Sequence, residues 1–384
     1  IPMGGAGTYE AKFYGLGAGG TVGANKNSIK IIGDNTDKYS QAYFAYDSKK
    51  SGGFTCSHLR FGNTPIRSTY LVTTPDFVAC HVQAYLKLYD VTKGLKKNGT
   101  FLLNTIWSAE EVQKNLPVKV KKYLAANNIT LYIIDATNIA QEIGLGNRTN
   151  TILQSAFFKI TNVIPYELAV SQMKYAIVKS YGRKGEAVIN MNYAAVDRGG
   201  EYSIVDIPAE WANLTDEETL IASANIPDFI KNIVVPVNAQ AGDDIPVSAF
   251  KGREDGTWDQ GTTKYEKRGV ASNVPVWDKD NCIQCNQCAY VCPHAAIRPF
   301  MLDANEASKA PFAADTLKAN GKQFADMSFR IQVDVLDCMG CDNCAEVCPG
   351  NKGGKALKMV PIETQYENQT NWEFCVDNVK TKQH

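Results

Sequence analysis

The spacing of the cysteines constrains this chain more than any other feature of its sequence. Eight of its eleven cysteines form two runs with the same spacing, C-x2-C-x2-C-x3-C, and a proline follows each run directly. Secreted proteins distribute cysteines so that disulfides link distant loops, whereas closely spaced thiols that pair poorly with one another can surround one compact inorganic centre. The runs therefore predict ligands of inorganic centres in a chain that resides in a reducing compartment.

Runs of this spacing are typical of paired 4Fe-4S clusters, in which three thiolates of a run bind one cluster and the fourth binds the other. The expected ligands of the first centre are Cys282, Cys285, Cys288 and Cys348. Those of the second centre are Cys338, Cys341, Cys344 and Cys292. Structural zinc is the alternative, but zinc sites use paired C-x2-C knuckles with four ligands each, which these runs fit poorly.

The other cysteines and the histidines show no metal-binding pattern. Isolated cysteines are most often small buried side chains, and we expect this of Cys56, Cys80 and Cys375. We expect packing or surface roles for His58, His81 and His294, although His294 directly follows the first cysteine run and its proline.

Similar segments flank the two cysteine runs. Strand-like residues 274–276 precede the first run and 331–335 the second, and residues 296–298 and 356–359 follow them. Each half therefore reads as strand, cysteine loop, short helix and strand. Two such halves related by a pseudo-twofold axis predict an α+β domain like the bacterial two-cluster ferredoxins.

The first part of the chain has a different sequence pattern. Residues 1–212 alternate strand-like and amphipathic helical segments, which predicts an α/β domain with a mainly parallel sheet and helices on both faces. The predicted strands are residues 10–15, 41–47, 68–73, 100–104, 130–135 and 188–192. The predicted helices are residues 21–32, 75–89, 109–115, 117–127, 136–143 and 167–181.

Between the two parts, glycines and prolines interrupt every apolar run. Residues 213–272 are therefore expected to form an extended linker without a core of its own, apart from a short helix near 216–223. Residues 273–384 then contain both cysteine runs and close with an arm from Trp372 onward.

A glycine-rich loop follows the first predicted strand. Gly15, Gly17 and Gly20 form G-x-G-x-x-G with a helix after it, so backbone N–H groups at the helix start could bind a phosphate. Asp47 after the next predicted strand would suit NAD, but Lys49 and Lys50 suit a more phosphate-rich ligand.

A second polar loop, residues 144–150, could reach the ligand of the glycine-rich loop, although each loop taken alone is compatible with a plain turn. The candidate ligand contacts are Gly17, Gly19, Gly20, Lys49, Lys50, Asn147 and Arg148.

Charge and composition exclude some classes of function. The chain has 40 basic and 40 acidic side chains, which argues against a dedicated nucleic-acid or anionic-membrane surface. Its sequence lacks the roughly 18 consecutive apolar residues of a membrane span and shows no signal peptide at its start. We expect a cytoplasmic protein, because the predicted 4Fe-4S clusters are low-potential and sensitive to oxygen. Because it begins at Ile1 without Met, we expect a processed or internal piece of something longer.

Five segments resemble one known family. They are residues 15–26 (GLGAGGTVGANK), 41–62 (QAYFAYDSKKSGGFTCSHLRFG), 246–250 (PVSAF), 265–270 (YEKRGV) and 282–298 (CIQCNQCAYVCPHAAIR). They resemble the middle section of the pyruvate:ferredoxin (flavodoxin) oxidoreductases, which are thiamine-diphosphate enzymes. The resemblance implies a gamma-type domain that engages coenzyme A at residues 1–212, a linker domain at 213–272 and a two-cluster domain at 273–384.

The resemblance also implies the reaction and its partners. Pyruvate and coenzyme A give acetyl-CoA, carbon dioxide and two electrons, which pass through two 4Fe-4S clusters to ferredoxin or flavodoxin. The chain shows no GDG motif of thiamine enzymes and no further set of four cysteines. Thiamine diphosphate, Mg²⁺, a third 4Fe-4S cluster and the catalytic residues are therefore expected on flanking domains or subunits of a homodimeric enzyme.

Two alternatives remain open at this stage. The chain could belong to an oxidoreductase for another 2-oxoacid, or it could be a standalone ferredoxin-like carrier with a nucleotide-binding module. Coenzyme A binding and the mass of the native polypeptide with its co-purifying chains would distinguish these alternatives.

Overall fold

The structure, a computed structural model, describes residues 7–17, 19–47, 52–67, 69–215, 226–312, 314–351 and 353–382. The chain divides into two compact units, Ile1–Pro227 and Asp228–His384. Within the described ranges, no helix has both the length and the apolar character needed to cross a membrane.

A seven-stranded mixed sheet forms the centre of the first unit. Its strands are β1 (Thr8–Leu16), β2 (Tyr39–Tyr46), β3 (Phe54–Gly62), β4 (Phe77–Cys80), β5 (Thr100–Asn104), β6 (Thr130–Ile134) and β7 (Ser203–Val205), in the spatial order β2-β3-β1-β4-β5-β6-β7. Strands β1, β4, β5 and β6 are parallel. Antiparallel strands extend the sheet at both edges. The predicted parallel sheet is thus confirmed for these four central strands.

Aromatic side chains on both faces of this sheet pack against the helices that cover it. The helices are α1 (Thr21–Asn35), α2 (Tyr85–Leu88), α3 (Ala109–Asn115), α4 (Val118–Ala126), α5 (Ala136–Glu142), α6 (Asn150–Thr161), α7 (Tyr166–Tyr181) and α8 (Glu186–Asp197). Successive residues of a strand point to opposite faces. Phe13 accordingly packs edge-on against Phe157 of α6, while Tyr14 contacts Phe54, which in turn contacts Tyr85 of α2.

Three predicted elements of this unit are wrong. Described residues 69–73, predicted as a strand, form none, because side chains of β3 bind their backbone: Arg60 donates to the Tyr70 carbonyl at 2.7 Å, and the Val72 N–H donates to His58 Nδ1 at 3.2 Å. Residues 75–89, predicted as one helix, contain β4 and α2. A short apolar run buried on both faces gives no periodicity that separates strand from helix. Residues 188–192, predicted as a strand, lie in α8.

The second unit is built from the repeated halves. Its strands are β8 (Asn273–Trp277), β9 (Ile297–Leu302), β10 (Leu317–Lys318), β11 (Ser328–Val333) and β12 (Leu357–Pro361). Its α-helices are α9 (Val235–Asn238), α10 (Gln287–Tyr290), α11 (Ala304–Lys309), α12 (Asn343–Glu346) and α13 (Asn368–Asn378). Strand β8 pairs with β12, and β9 pairs with β11, so the first strand of each half joins the last strand of the other. This pairing confirms the predicted ferredoxin-like arrangement.

The segment that precedes the cysteine-bearing halves packs against them in the second unit. Lys267 forms ion pairs of 2.5 Å with both Asp334 and Asp337, and the Gly269 N–H donates to the Leu336 carbonyl. A π-helical turn, Ile230–Val234, precedes α9, whereas the short helix predicted near 216–223 lies outside the described residues.

The segment predicted as a terminal arm is helical over its first half. Helix α13 extends to Asn378, with Trp372 and Cys375 buried on one face. Residues three positions apart share a helical face, which lets Trp372 pack edge-on against Phe300 while Cys375 joins an apolar cluster with Leu302. The helix thus contributes to the core of the unit.

The burial of His58 predicts a pH dependence of stability. Burial, reinforced by the nearby Lys12 charge, lowers the pKa of His58 to about 4, against an ordinary value near 6.5. As the pH falls, His58 takes up a proton in the unfolded chain before it does so in the folded chain. The contribution of neutral His58 to stability is therefore complete above pH 6.5 and is lost as the pH falls toward 4. From pH 7 to pH 5 we expect the free energy of unfolding to fall by about 2 kcal/mol more in the parent chain than in His58→Gln. Pulse proteolysis of β3 in urea would measure this difference, and equal pH profiles would contradict it.

Candidate iron–sulfur centres and cofactor loop

Two cavities in the second unit are lined by the cysteines of the two runs. The first cavity has a volume of about 330 Å³, including space open to solvent, and is lined by Cys282, Cys285, Cys288 and Cys348. The second, of about 390 Å³, is lined by Cys338, Cys341, Cys344 and Cys292. The fourth cysteine of each run lines the cavity of the other run, which is the grouping that the spacing predicts.

The separation of the thiols within each cavity bears on which inorganic group fits it. Zinc binds thiolate sulfur at about 2.3 Å, so its four ligands must converge closely on one point. In the described part of the chain, no three His, Cys, Asp or Glu side chains are close enough to hold a single metal ion. The cysteines instead surround a space that suits a multi-atom cluster.

Backbone N–H groups point at the cysteine sulfurs within the loops. The Gln284 N–H donates to Cys282 Sγ at 3.4 Å, and the Gly340 N–H donates to Cys338 Sγ at the same distance. The fourth cysteine of each run also accepts such a bond, because the Ala296 and Ala356 N–H groups donate at 3.3 Å to Cys292 and Cys348. These donors stabilise negative charge on the sulfurs.

Residues in the left-handed backbone conformation turn the chain between successive cysteines. Gln284 and Asn286 have φ values of 59°, and their counterparts in the second run, Gly340 and Asp342, have φ values of 67°. Glycine, asparagine and aspartate adopt this conformation at lower cost than most residues. The sequence between the cysteines therefore suits the curvature that directs several sulfurs to one point.

Among the described residues, no lysine or arginine lines either cavity to ionise the thiols. Burial raises the pKa of Cys288 and Cys338 to about 11 and that of Cys344 to about 12, and neighbouring thiols add to the effect. A cationic metal centre supplies the missing charge and displaces the protons. The donor set thus fits a bound iron–sulfur cluster, which would be held by four thiolates and would supply one-electron redox chemistry.

The remaining cysteines are buried, and His294 is partly buried. Cys56, Cys80 and Cys375 are buried, as expected, and burial raises the pKa of each thiol, to about 11 for Cys56 and about 12 for the other two. His294 is half-buried and lines the second cavity.

The glycine loop connects the end of β1 to the start of α1. The Gly17 N–H donates to the Gly53 carbonyl at 2.7 Å, and the Gly19 N–H donates to the Leu16 carbonyl at 2.9 Å. Gly20 has a φ of 82° and lies directly before α1. Its missing side chain permits close contact, since a Cβ there would lie 2.8 Å from Asn150 Cγ at the start of α6.

The structure therefore brings the two predicted loops together at one edge of the sheet. Asn147 and Arg148 are exposed in the loop that leads into α6. Helices α1 and α6 are also joined by Gln154, which donates to Asn27 Oδ1 at 2.9 Å. Lys49 and Lys50 lie outside the described residues.

Asp47 does not occupy the position that a dinucleotide fold requires. In that fold the acidic residue ends the parallel strand next to the glycine-loop strand. Here β2, which ends just before Asp47, is an antiparallel edge strand and is separated from β1 by β3. The parallel neighbour of β1 is β4, which ends at Cys80.

Sequence reasoning missed the polar residues behind the glycine loop. Thr21 Oγ1 and His81 Nδ1 form a hydrogen bond of 2.9 Å, and burial lowers the pKa of His81 to about 4. Asn104, at the end of β5, donates to the His81 carbonyl at 3.1 Å and accepts from the Ala136 N–H. A polar residue directly after each of β4, β5 and β6 is the signal that could have identified this layer.

An α/β unit joined to a unit with two four-cysteine cavities defines an iron–sulfur protein. Residues 281–351 match the model of a 4Fe-4S double cluster binding domain, and residues 215–271 match a domain of unknown function. Residues 10–202, half of the chain, match the model of pyruvate ferredoxin/flavodoxin oxidoreductase. The chain belongs to this family.

Relatives with a similar sequence extend well beyond the chain. It is 52% identical over 97% of its length to a pyruvate-flavodoxin oxidoreductase of Enterobacter agglomerans, of which it spans 31%. It is 54% identical over 93% of its length to a pyruvate:ferredoxin oxidoreductase of Moorella thermoacetica, of which it spans 30%. A solved pyruvate oxidoreductase subunit of Thermotoga maritima aligns with 52% of the chain and 99% of that subunit, at 23% identity and a TM-score of 0.42.

Proposed function

We propose that the chain is the electron-transfer and coenzyme A-engaging segment of a pyruvate:ferredoxin or pyruvate:flavodoxin oxidoreductase. The observation that carries this proposal is the pair of cavities, each lined by four cysteines drawn from both runs. The family match and the names of the relatives support pyruvate as the substrate and ferredoxin or flavodoxin as the electron acceptor. The reaction consumes pyruvate and coenzyme A and gives acetyl-CoA, carbon dioxide and two electrons.

The proposed ligands follow the grouping of the cavities. Cys282, Cys285, Cys288 and Cys348 hold the first 4Fe-4S centre. Cys338, Cys341, Cys344 and Cys292 hold the second. The backbone donors to Cys282, Cys338, Cys292 and Cys348 offset the negative charge on the sulfurs. In this scheme, every half of the unit contributes to both centres, so neither half is complete alone.

The proposed division of labour assigns coenzyme A to residues 1–212, a linker role to residues 213–272 and electron transfer to residues 273–384. In the first segment, phosphates of coenzyme A contact Gly17, Gly19, Gly20, Lys49, Lys50 and Arg148, with Asn147 as a hydrogen-bond partner. The contact between Gly20 and the start of α6 supports a shared site for the two loops. An exposed arginine beside N–H groups at the start of a long helix is suited to phosphate oxygens.

The chemistry of decarboxylation belongs, in this proposal, to parts of the enzyme outside these residues. The chain spans about a third of the length of the relatives it matches. Thiamine diphosphate, Mg²⁺ and a third 4Fe-4S cluster are assigned to that remainder, in a cytoplasmic homodimer. The mass of the native polypeptide and of its co-purifying chains tests this assignment.

Metal analysis of the anaerobically prepared chain tests the two-centre proposal. Two 4Fe-4S centres require about eight iron and eight sulfide per chain. Dithionite should bleach the visible absorption of the chain, and added flavodoxin should restore it by accepting the electrons. Zinc in place of iron, or only about four iron per chain, would contradict the proposal.

A further inference from the structure

The two cavities are related by the sequence repeat but differ in chemistry. Residues of the second run correspond to residues of the first at an offset of 56, as Cys338 corresponds to Cys282. At this offset, Trp277 and Asn286 of the first cavity correspond to Val333 and Asp342 of the second. We infer that Trp277 and Asp342 give the two centres unequal reduction potentials, with the first centre the more readily reduced. This inference rests on the cluster ligation proposed above.

Trp277 places an unpartnered donor at the first cavity. Its indole Nε1–H is buried and has no hydrogen-bond partner among the residues that the structure describes. Leaving a buried donor unpaired costs about 1–3 kcal/mol. A sulfur of the bound centre would supply the acceptor, because Trp277 lines this cavity together with the four cysteines. Val333, at the corresponding position of the second cavity, has no N–H in its side chain to donate.

A buried cation stacks on the Trp277 ring. The guanidinium of Arg330 stands over the indole ring at 5.5 Å from its centroid, and Arg330 is 6% exposed. Its ion-pair partner, Asp315, has a side chain that is 48% exposed, so solvent screens that carboxylate more than the guanidinium. The residue that corresponds to Arg330 in the first half is Val274, which carries no charge.

The second cavity contains a carboxylate where the first contains an amide. Asp342 and Asn286 both precede a short helix in the left-handed conformation, and each lines its own cavity. Glu346 adds negative charge near Asp342, and Lys355, 4.0 Å from Glu346, opposes it. In the first cavity, Asn286 Oδ1 is buried without a partner among the described residues, and rotation of the amide would present its NH₂ group instead.

These two differences act in the same direction, whereas a third one, His294 in the second cavity against Gly350 in the first, places an imidazole N–H at the second centre and opposes them. One-electron reduction adds negative charge to a 4Fe-4S centre, so hydrogen-bond donors and nearby cations favour the reduced state, and nearby carboxylates disfavour it. Trp277 and Arg330 therefore raise the potential of the first centre, while Asp342 lowers that of the second. When dithionite supplies one electron per chain, that electron should reside mainly at the first centre.

Redox titration of the full chain tests the inference. Dithionite and mediators set the potential at pH 8, and electron paramagnetic resonance follows each reduced centre, with a Cys348→Ala chain identifying the signal of the second. Trp277→Phe keeps an aromatic ring but removes the N–H, and it should lower only the first potential. Asp342→Asn should raise only the second. We expect each change to alter the electron distribution between the centres about tenfold, or about 59 mV for a one-electron couple.

Two further variants make the result decisive. Asn286→Asp introduces the carboxylate into the first cavity and should lower the first potential even if Trp277→Phe fails to fold. Trp372→Phe alters a buried tryptophan that lines neither cavity, and it should change neither potential. Unchanged potentials in chains that keep about eight iron, or a higher potential for the second centre in the parent chain, would overturn the inference alone. A parent chain without two clusters would overturn the proposed function and the inference together.

Discussion

A Cys348→Ala chain is expected to lose the first centre and to keep the second, so that its iron content falls from about eight to about four per chain. Cys348 belongs to the second cysteine run, yet it lines the cavity of Cys282, Cys285 and Cys288. With three thiolates and no fourth ligand, one iron of that centre has no protein ligand, and we expect the whole centre to be lost. Iron and sulfide analysis of anaerobic protein measures the loss, and a Cys285→Ala/Cys348→Ala chain should still keep about four iron, because both thiols line one cavity.

The reciprocal variant and a matched cysteine control sharpen this test. Cys292→Ala should remove the second centre, because Cys292 lines the cavity of the second run. Cys375→Ala should keep about eight iron, since Cys375 is fully buried in α13 and lines neither cavity. If Cys348→Ala removed the second centre instead, each run would bind its own cluster and the crossed ligation would be wrong.

The cluster-bearing half was predictable from sequence because its information is local. Spacing alone grouped the cysteines, and the residues around them repeat at a fixed offset, as with Gln284 and Gly340. The unequal chemistry of the cavities was not predictable, because it depends on partners brought together by pairing between distant strands. Trp277 and Arg330 lie 53 positions apart, and only the fold stacks one over the other.

The α/β half shows where local patterns fail. Helix α3 was predicted to the residue, and the structure shows a capping box of Ser108 and Glu111 at its start. Strand β4 was missed because its four residues are buried on both faces and carry no alternation. Strand β3 was missed as well. It lies between β2 and β1, and this position breaks the dinucleotide-binding topology that the glycine loop and Asp47 suggested.

Coenzyme A is expected to bind an Arg148→Ala chain more weakly by roughly 1 to 3 kcal/mol, or about 5- to 150-fold in dissociation constant. Arg148 is exposed in the loop that meets the glycine loop at Gly20 and Asn150, where phosphate oxygens could accept from both. Titration calorimetry of the full chain measures the constant. Arg183→Ala removes another exposed arginine of the same unit, just after α7, and should leave the affinity unchanged.

Gly20→Ala tests the same site through the backbone. A left-handed conformation costs an alanine about 1–2 kcal/mol, and its Cβ would lie 2.8 Å from Asn150 Cγ, so the loop must move away from α6. If both loops bind one coenzyme A molecule, this displacement weakens binding even though the variant removes no charge. Gly23→Ala is the matched control, because a Cβ at Gly23 meets no atom within 4 Å. If coenzyme A bound the Gly20 and Arg148 variants as well as the parent while NAD binding was lost, the site would belong to a dinucleotide.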